Sequence, residues 1–236
     1  MTRSPRVAAA AKTQLVDVDP AQLYGVFSQI PYPVLFVDIM SPDSLPPAPR
    51  SQQRRLQLLE AAEQAFLEKG YVDTSISDIT RAADVGHGTF YLYFDGKADI
   101  FETLVVELGH IARERLSEAV KDAGSRLEAE YAGLKGWLML LAERPSLHRI
   151  VEEARVFAPQ AHRKYYEDFA SNYTKQLKQA QENGEIAPGD AEVQAWALIG
   201  LTRVLGDRYV LWDRSADPED IANSAFALIR DGLRKG

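Results

Sequence analysis

The feature that most constrains this 236-residue chain is a pair of short amphipathic segments joined by a tight turn. Either Thr74 or Ser75 can cap the first segment as a helix, and Asp78 follows at the spacing of a capping box. In the second segment Phe90 and Phe94 stand four residues apart, so both rings fall on one helical face. This pattern predicts a helix-turn-helix, a motif whose second helix enters the major groove of DNA.

The turn between the two segments is made of small residues. Asp84 tolerates a left-handed backbone, Val85 is expected to be the buried plug of the turn, and Gly86 opens the second helix without a side-chain cap. The two helices are therefore expected to lie close together. The predicted inner face of the first helix consists of Ile76, Ile79, Ala82 and Ala83.

The segment from Ala83 to Lys97 reads ADVGHGTFYLYFDGK. It resembles the recognition segment of the TetR family of transcriptional regulators, whose pattern is roughly A-G-V-S-x-G-T-x-Y-x-Y-F-x-x-K. An amphipathic helix from Arg54 to Lys69 precedes the segment at the right distance. The resemblance implies an all-α fold, with an N-terminal helix-turn-helix DNA-binding domain and a larger helical ligand-binding and dimerisation domain.

The resemblance also implies a set of DNA contacts. His87, Gly88 and Thr89 would approach bases or phosphates, and Lys97 would pair with a phosphate. The two tyrosines of the segment would donate hydroxyls to phosphates, unless they only pad the headpiece. Leu92 stands where many relatives have a polar ring, so contact with a thymine methyl is expected there. The predicted DNA-binding residues are Arg54, Arg55, Thr74, Ser75, Gly86, His87, Gly88, Thr89, Tyr91, Leu92, Tyr93 and Lys97.

The charge of the chain does not by itself indicate a nucleic-acid partner. The net charge is −7, and residues 51–97 hold five Lys and Arg against seven Asp and Glu. DNA binding would need a local positive face, for which Arg54, Arg55, Arg81 and Lys97 are the candidates. With so few cations, the salt dependence of binding is expected to be shallow.

The chain divides into three parts: an atypical N-terminal extension over residues 1–50, the helix-turn-helix domain over 51–97 and the helical domain over 98–236. The extension ends in the proline-rich run SPDSLPPAPR, which predicts a linker or strap. Before that run, residues 23–40 are too apolar for a solvated tail. This arm is expected to pack on its own body or on a partner subunit, and the alternatives are that it covers a ligand pocket or binds another protein.

Beyond residue 97, glycine and proline signals divide the chain into consecutive helices. They are predicted over residues 98–122, 126–143, 146–157, 160–183, 190–213 and 218–235. The resemblance implies that the last two pair with those of a second subunit as a four-helix bundle, which makes a homodimer.

An aromatic stripe in the helical domain is the candidate wall of an effector pocket, although such stripes are more often plain core. Arg155 or Arg203 would supply one charged group for a carboxylate or phosphate. By analogy with the family, the effector is a small apolar or acyl-type molecule. The predicted ligand-binding residues are Trp137, Arg155, Phe157, Tyr166, Phe169, Tyr173, Trp196 and Arg203.

Other functional classes find little support in the sequence. The chain has no cysteine, which excludes disulfides and thiolate metal sites, and its histidine–glutamate pairs lack a third ligand. No catalytic motif, cofactor fingerprint, membrane-length apolar run or leader peptide is evident. The expectation is a cytoplasmic protein that is not an enzyme and has no catalytic or metal-binding residues, no cofactor and no membrane partner.

The predicted mechanism is repression at a palindromic DNA operator, relieved by the effector. The helix that begins at Ala98 would act as the lever between pocket and headpiece. The alternative is a DNA-bound interaction protein whose N-terminal arm recruits a protein partner without any small ligand. Activation in place of repression also stays open, because promoter position decides between them.

Overall fold

The computed structural model describes residues 50–212 and 216–234, and every regular element in these ranges is helical. The N-terminal arm and most of the proline-rich run lie outside the described residues. The helices are α1 (Arg50–Asp73), α2 (Ile76–Ala82), α3 (His87–Phe90), α4 (Lys97–Val120), α5 (Arg126–Glu143), α6 (Pro145–Phe157), α7 (Pro159–Glu182), α8 (Ala191–Gly206), a π-helical turn (Asp207–Trp212) and α9 (Pro218–Leu233).

Most helices begin at the positions that the proline, glycine and capping signals of the sequence predict. Pro145, Pro159 and Pro218 occupy the first positions of α6, α7 and α9, where a missing N–H costs nothing. The side chains of Asp190 and Asp217 accept from the first free amides of α8 and α9. The helix predicted over 190–213 is wrong in its last part, because α8 ends at residue 206 and the π-helical turn follows.

The first three helices form the headpiece. Ser75 caps α2, and a reciprocal pair of hydrogen bonds with Asp78 completes the predicted capping box. Phe90 and Phe94 are 0% and 2% exposed, which confirms their inward orientation, and Asp84 has the predicted left-handed backbone with φ 49°. Two details of the prediction are wrong: α1 starts already at residue 50, and Ala82 is exposed. Val85 is half-buried in the turn.

The remaining helices form the body. Helix α4 starts in the headpiece and packs against α1, α5, α6 and α7, while α9 packs on α5 and α8 packs on α7. Buried leucines and isoleucines fill the interior between them, among them Leu108, Leu138, Leu147 and Ile150. Among the described residues no helix is long and apolar enough to cross a membrane. Because α4 belongs to both parts, it connects any site in the body with the headpiece.

Candidate DNA-binding surface and effector cavity

Helix α3 and the turn that follows it, as far as Tyr93, present a small exposed surface of the headpiece. Its inner side is fixed by Phe90, whereas Tyr91 and Leu92 are 56% and 78% exposed. The backbone is also open, because a Cβ added at Gly86 or Gly88 would meet nothing within 4 Å. Such a surface lets both side chains and main chain approach another molecule.

His87 links the two helices of the motif. Its Nδ1 lies 3.3 Å from the Oγ1 of Thr80, and its Nε2 lies 3.4 Å from the Oγ of Ser77. Both partners belong to α2, so the imidazole fixes α3 relative to α2 while its outer edge stays exposed. The hydroxyl of Ser75 is similarly engaged, since it donates to Asp78 Oδ2 at 2.7 Å.

Three residues of the predicted DNA-binding set point into the protein. Thr74 is 2% exposed, and its hydroxyl donates to carbonyls at the end of α1. The guanidinium of Arg55 lies 3.9 Å from the buried carboxylate of Glu107 and 5.4 Å from the centroid of the Phe94 ring. The ammonium of Lys97 donates to three carbonyl oxygens at 2.8–3.2 Å. This geometry does not support the DNA contacts predicted for these three residues.

The predicted positive face is correspondingly smaller. Of its four cations, Arg54 and Arg81 are exposed. Arg81 lies 3.5 Å from Asp78, and Lys69 contacts the same carboxylate at 2.8 Å. The hydrogen bond from Lys69 holds the pKa of Asp78 well below its usual range, so this carboxylate offsets positive charge at neutral pH.

The end of α1 is the junction between headpiece and body. Gly70 has φ +79°, and the chain bends there away from the axis of α1. The backbone N–H of Tyr71 donates to Glu153 Oε2 of α6 at 2.6 Å, and the Tyr71 ring stacks on Phe157 with centroids 4.5 Å apart. Lys97, at the start of α4, holds the same corner through the carbonyls of Tyr71, Val72 and Thr74. Helices α4 and α6 therefore both hold the end of α1 in place.

A cavity of about 190 Å³ lies in the body between α4, α5, α7, α8 and α9. Aromatic rings from α5 and α7 make much of its wall, and polar groups are interspersed among them. The lining residues are Arg113, Leu116, Ser117, Val120, Arg126, Ala129, Glu130, Gly133, Leu134, Trp137, Tyr165, Tyr166, Phe169, Asn172, Tyr173, Gln176, Ile199, Thr202, Arg203 and Ile229.

Five of the predicted ligand residues, Trp137, Tyr166, Phe169, Tyr173 and Arg203, line this cavity. The other three do not. Arg155 is exposed on the outer side of α6, Phe157 stacks on Tyr71 at the junction, and Trp196 is 41% exposed on the surface of α8. These three residues were predicted to bind the ligand from their residue type alone. Each stands on a helix face that points away from the cavity.

Sequence reasoning missed a polar group at the α5–α7 side of the cavity. Glu130 is 3% exposed, lies 2.9 Å from Arg126 Nε, and accepts a short hydrogen bond from the Tyr173 hydroxyl. Burial raises the pKa of Glu130, although Arg126 acts in the opposite direction. The signal was present in the sequence, because Arg126, Glu130, Gly133 and Trp137 recur at spacings of three and four residues.

Similar proteins fit this arrangement of headpiece and cavity. The model of a family described as bacterial regulatory proteins, tetR family, matches residues 58–104. The HTH-type transcriptional regulator BetI of Serratia proteamaculans is 30% identical over 148 residues, an alignment that covers 54% of this chain and 71% of that regulator. The chain belongs to the TetR family of transcriptional regulators. The predicted family and fold class are thereby confirmed.

Other TetR-family members match more of the chain. The fatty acid metabolism regulator protein of Bacillus subtilis is 24% identical over 189 residues, covering 78% of this chain and 97% of that protein. The solved structure of FadR from Bacillus subtilis in complex with stearoyl-CoA has a TM-score of 0.67 and 25% identity, and covers 76% of this chain and 99% of that one. FadR from Bacillus halodurans has a TM-score of 0.69 at 22% identity, covering 78% and 97%, and supports the fold.

Proposed function

We propose that this regulator is a homodimeric repressor that leaves a palindromic operator when a small, largely apolar effector occupies the cavity. The observation that carries the proposal is the course of α4. This helix begins at Lys97 in the headpiece, and its last turns line the cavity with Leu116 and Val120. An effector that prefers a different tilt of α4 changes the spacing of the two recognition helices in the dimer, and operator affinity falls.

A second connection runs through α6. Its residue Glu152 lies 3.3 Å from Nη1 of the cavity residue Arg203, and the hydroxyl of the cavity residue Tyr166 donates to it at 3.4 Å. The next residue, Glu153, accepts the backbone N–H of Tyr71 in the headpiece. An effector that displaces Arg203 or Tyr166 therefore disturbs Glu152, and the adjacent Glu153 contacts the headpiece. This arrangement supports transmission through α6 as well as α4.

The proposed DNA contacts come from the exposed or half-exposed members of the predicted set. Tyr91, Leu92 and Tyr93 would meet the major groove or its flanking phosphates, with the main chain around Gly88 close to the DNA. The remaining members are Arg54, Ser75, Gly86, His87 and Thr89. Thr74, Arg55 and Lys97 are left out, because their polar groups are engaged within the protein.

The proposed effector class is an acyl or similarly apolar molecule. Aromatic and aliphatic side chains dominate the cavity wall, and a relative of matching fold has been solved with stearoyl-CoA. The proposed dimer rests on an exposed apolar stripe: Val193, Trp196 and Val204 of α8 are 63%, 41% and 53% exposed, and Leu228 of α9 is 68% exposed.

The test is footprinting of the purified protein on the DNA upstream of its own gene, at physiological salt with excess competitor DNA. We expect a two-fold symmetric protected site that disappears on addition of lauroyl-CoA or stearoyl-CoA. Tyr91→Phe with Leu92→Ala should lose affinity by about tenfold or more, because both side chains are exposed and neither supports the core. Lys178→Gln, an exposed cation of α7, is the matched control.

Two results would overturn the proposal. If no DNA were protected upstream of the gene or in a genome-wide selection, the proposal of an operator would be wrong. If DNA were protected but no acyl probe released the protein, the proposed effector class would be wrong. The alternative function, recruitment of a partner by the N-terminal arm, falls on residues outside the described ranges. A filled or polar interior would favour that alternative, whereas the open aromatic cavity favours the effector.

A further inference from the structure

Three arginines line the cavity, and they differ in how far neighbouring carboxylates offset their charge. Arg203 lies 3.3 Å from both Glu152 and Asp207, so two carboxylates face its guanidinium, and His148 Nε2 lies 2.7 Å from the same Asp207. Arg126 lies 2.9 Å from the buried carboxyl group of Glu130, so this guanidinium also has a close acidic partner. Neither guanidinium offers surplus positive charge to a ligand.

Arg113 of α4 is placed differently. Its nearest described carboxylate is Asp168, at 4.0 Å, and that carboxylate is already held by Lys164 at 2.8 and 3.0 Å. Its Nη2 donates to Nδ1 of His110 at 2.9 Å. Burial, together with the charge of Arg113, lowers the pKa of His110, so this imidazole is neutral at physiological pH. Two cations and one carboxylate therefore leave the group with surplus positive charge.

The position of Arg113 joins two spaces. It lines the main cavity, and it also lines a second cavity of about 80 Å³ between α4 and α7, with His110, Lys164 and Asp168 around it. Gly109 makes the arrangement possible, because a Cβ there would lie 3.1 Å from Arg113 Nη1 and 3.0 Å from the Tyr165 ring. The guanidinium of Arg113 thus stands at the wall of the main cavity, with a second, smaller space beside it.

We propose that Arg113 binds the anionic head group, a carboxylate or a phosphate, of an aliphatic effector whose chain lies in the main cavity. This inference rests on the proposed function and deepens it, since it makes the effector an amphipathic anion. The guanidinium donates two parallel N–H groups to the anion, in competition with the long contact to Asp168. Because Arg113 belongs to α4, the bound anion acts directly on the helix that enters the headpiece.

The test compares three probes with the same twelve-carbon chain: laurate, lauroyl-CoA and dodecanol. Binding to the full-length protein is followed by calorimetry, and operator release is measured in parallel. The wild type should bind laurate or lauroyl-CoA at least about tenfold more tightly than dodecanol. The better of the two anionic probes distinguishes a free carboxylate at the chain end from the larger coenzyme A head group, whose phosphates are separated from the acyl chain by pantetheine.

Arg113→Gln should remove this preference, so that laurate and lauroyl-CoA bind no more tightly than dodecanol. Arg113→Lys should keep much of the preference, because it keeps the charge. Arg115→Gln is the matched control, since Arg115 stands on the same helix, is 54% exposed and pairs with Glu143 at the surface. Arg113→Met, which removes the charge and keeps an unbranched side chain, replaces Arg113→Gln if that variant does not fold.

The outcomes separate the two proposals. Equal wild-type affinity for laurate, lauroyl-CoA and dodecanol, or an unchanged preference in Arg113→Gln, would overturn the role of Arg113 and leave an apolar effector standing. Failure of every probe to bind the wild type would overturn the effector class and the role of Arg113 together.

Discussion

Glu107 is the buried side chain whose charge state matters most for the headpiece. It stands on α4, is 3% exposed, and faces Arg55 of α1 at 3.9 Å. Neither of its carboxylate oxygens has a hydrogen-bond partner among the described residues. Burial raises the pKa of Glu107 from 4.5 to about 7, against the opposing effect of Arg55. The contact between headpiece and lever is therefore sensitive to pH near neutrality.

Glu107→Gln should change how stability depends on pH. The folded state holds the proton more tightly than the unfolded state, so the stability due to Glu107 is fully present below its unfolded pKa of 4.5 and is lost as pH rises through about 7. The variant should match the wild type near about pH 4 and exceed its free energy of unfolding by about 3 kcal/mol near about pH 8.

Urea unfolding at both pH values measures this difference. Glu102→Gln, an exposed position on the same helix, is the control and should show no such gain. Parallel pH profiles for Glu107→Gln and the wild type would show that Glu107 titrates normally.

At the scale of helices, the sequence predicted where elements begin and end much better than which faces meet. Helix ends depend on local chemistry, such as Pro145 at the start of α6 or Asp190 before α8, and this chemistry is visible in a few residues. The cavity depends on how five helices are rotated about their axes. Arg113 lines the cavity although the sequence did not predict it, and the predicted Arg155 is exposed, because the packing that turns one inward and the other outward is not local.

The contact between α6 and the headpiece leads to a prediction at the scale of helices. Glu153→Ala removes the acceptor of the Tyr71 N–H and uncouples α6 from that corner. The factor by which the effector lowers operator affinity should shrink by about threefold or more, whereas operator affinity without effector changes little. Binding titrations with labelled operator, with and without lauroyl-CoA, measure both quantities.

The control for this experiment is Glu167→Ala, which removes a carboxylate from an exposed i,i+4 pair with Arg163 on α7. An undiminished effector response in Glu153→Ala would assign the coupling to α4 alone.

For the whole molecule, the proposed dimer can be tested at the exposed stripe on α8 and α9. Val204→Glu places a charge in the middle of that stripe without touching the protomer core, since the side chain is 53% exposed. The dimer should dissociate at micromolar concentration, and operator affinity should fall because the two half-sites are no longer bound together. Sedimentation velocity over a concentration series measures the mass. Val156→Glu, 68% exposed on α6, should stay dimeric, and a dimeric Val204→Glu would move the interface elsewhere.

In the proposed dimer, the number of exposed cations sets how DNA binding responds to salt. Of the four cations predicted for the positive face, Arg54 and Arg81 remain exposed, while Arg55 and Lys97 are engaged internally. Two phosphate contacts in each of two protomers give a slope of log Kobs against log salt of about −4. Arg81→Gln should flatten that slope by about 2, because each dimer loses two contacts. Fluorescence anisotropy over a potassium chloride series measures both slopes. A wild-type slope of about −8 or steeper would mean that other cations reach the phosphates, and that Arg55 or Lys97 exchanges its internal partners for DNA.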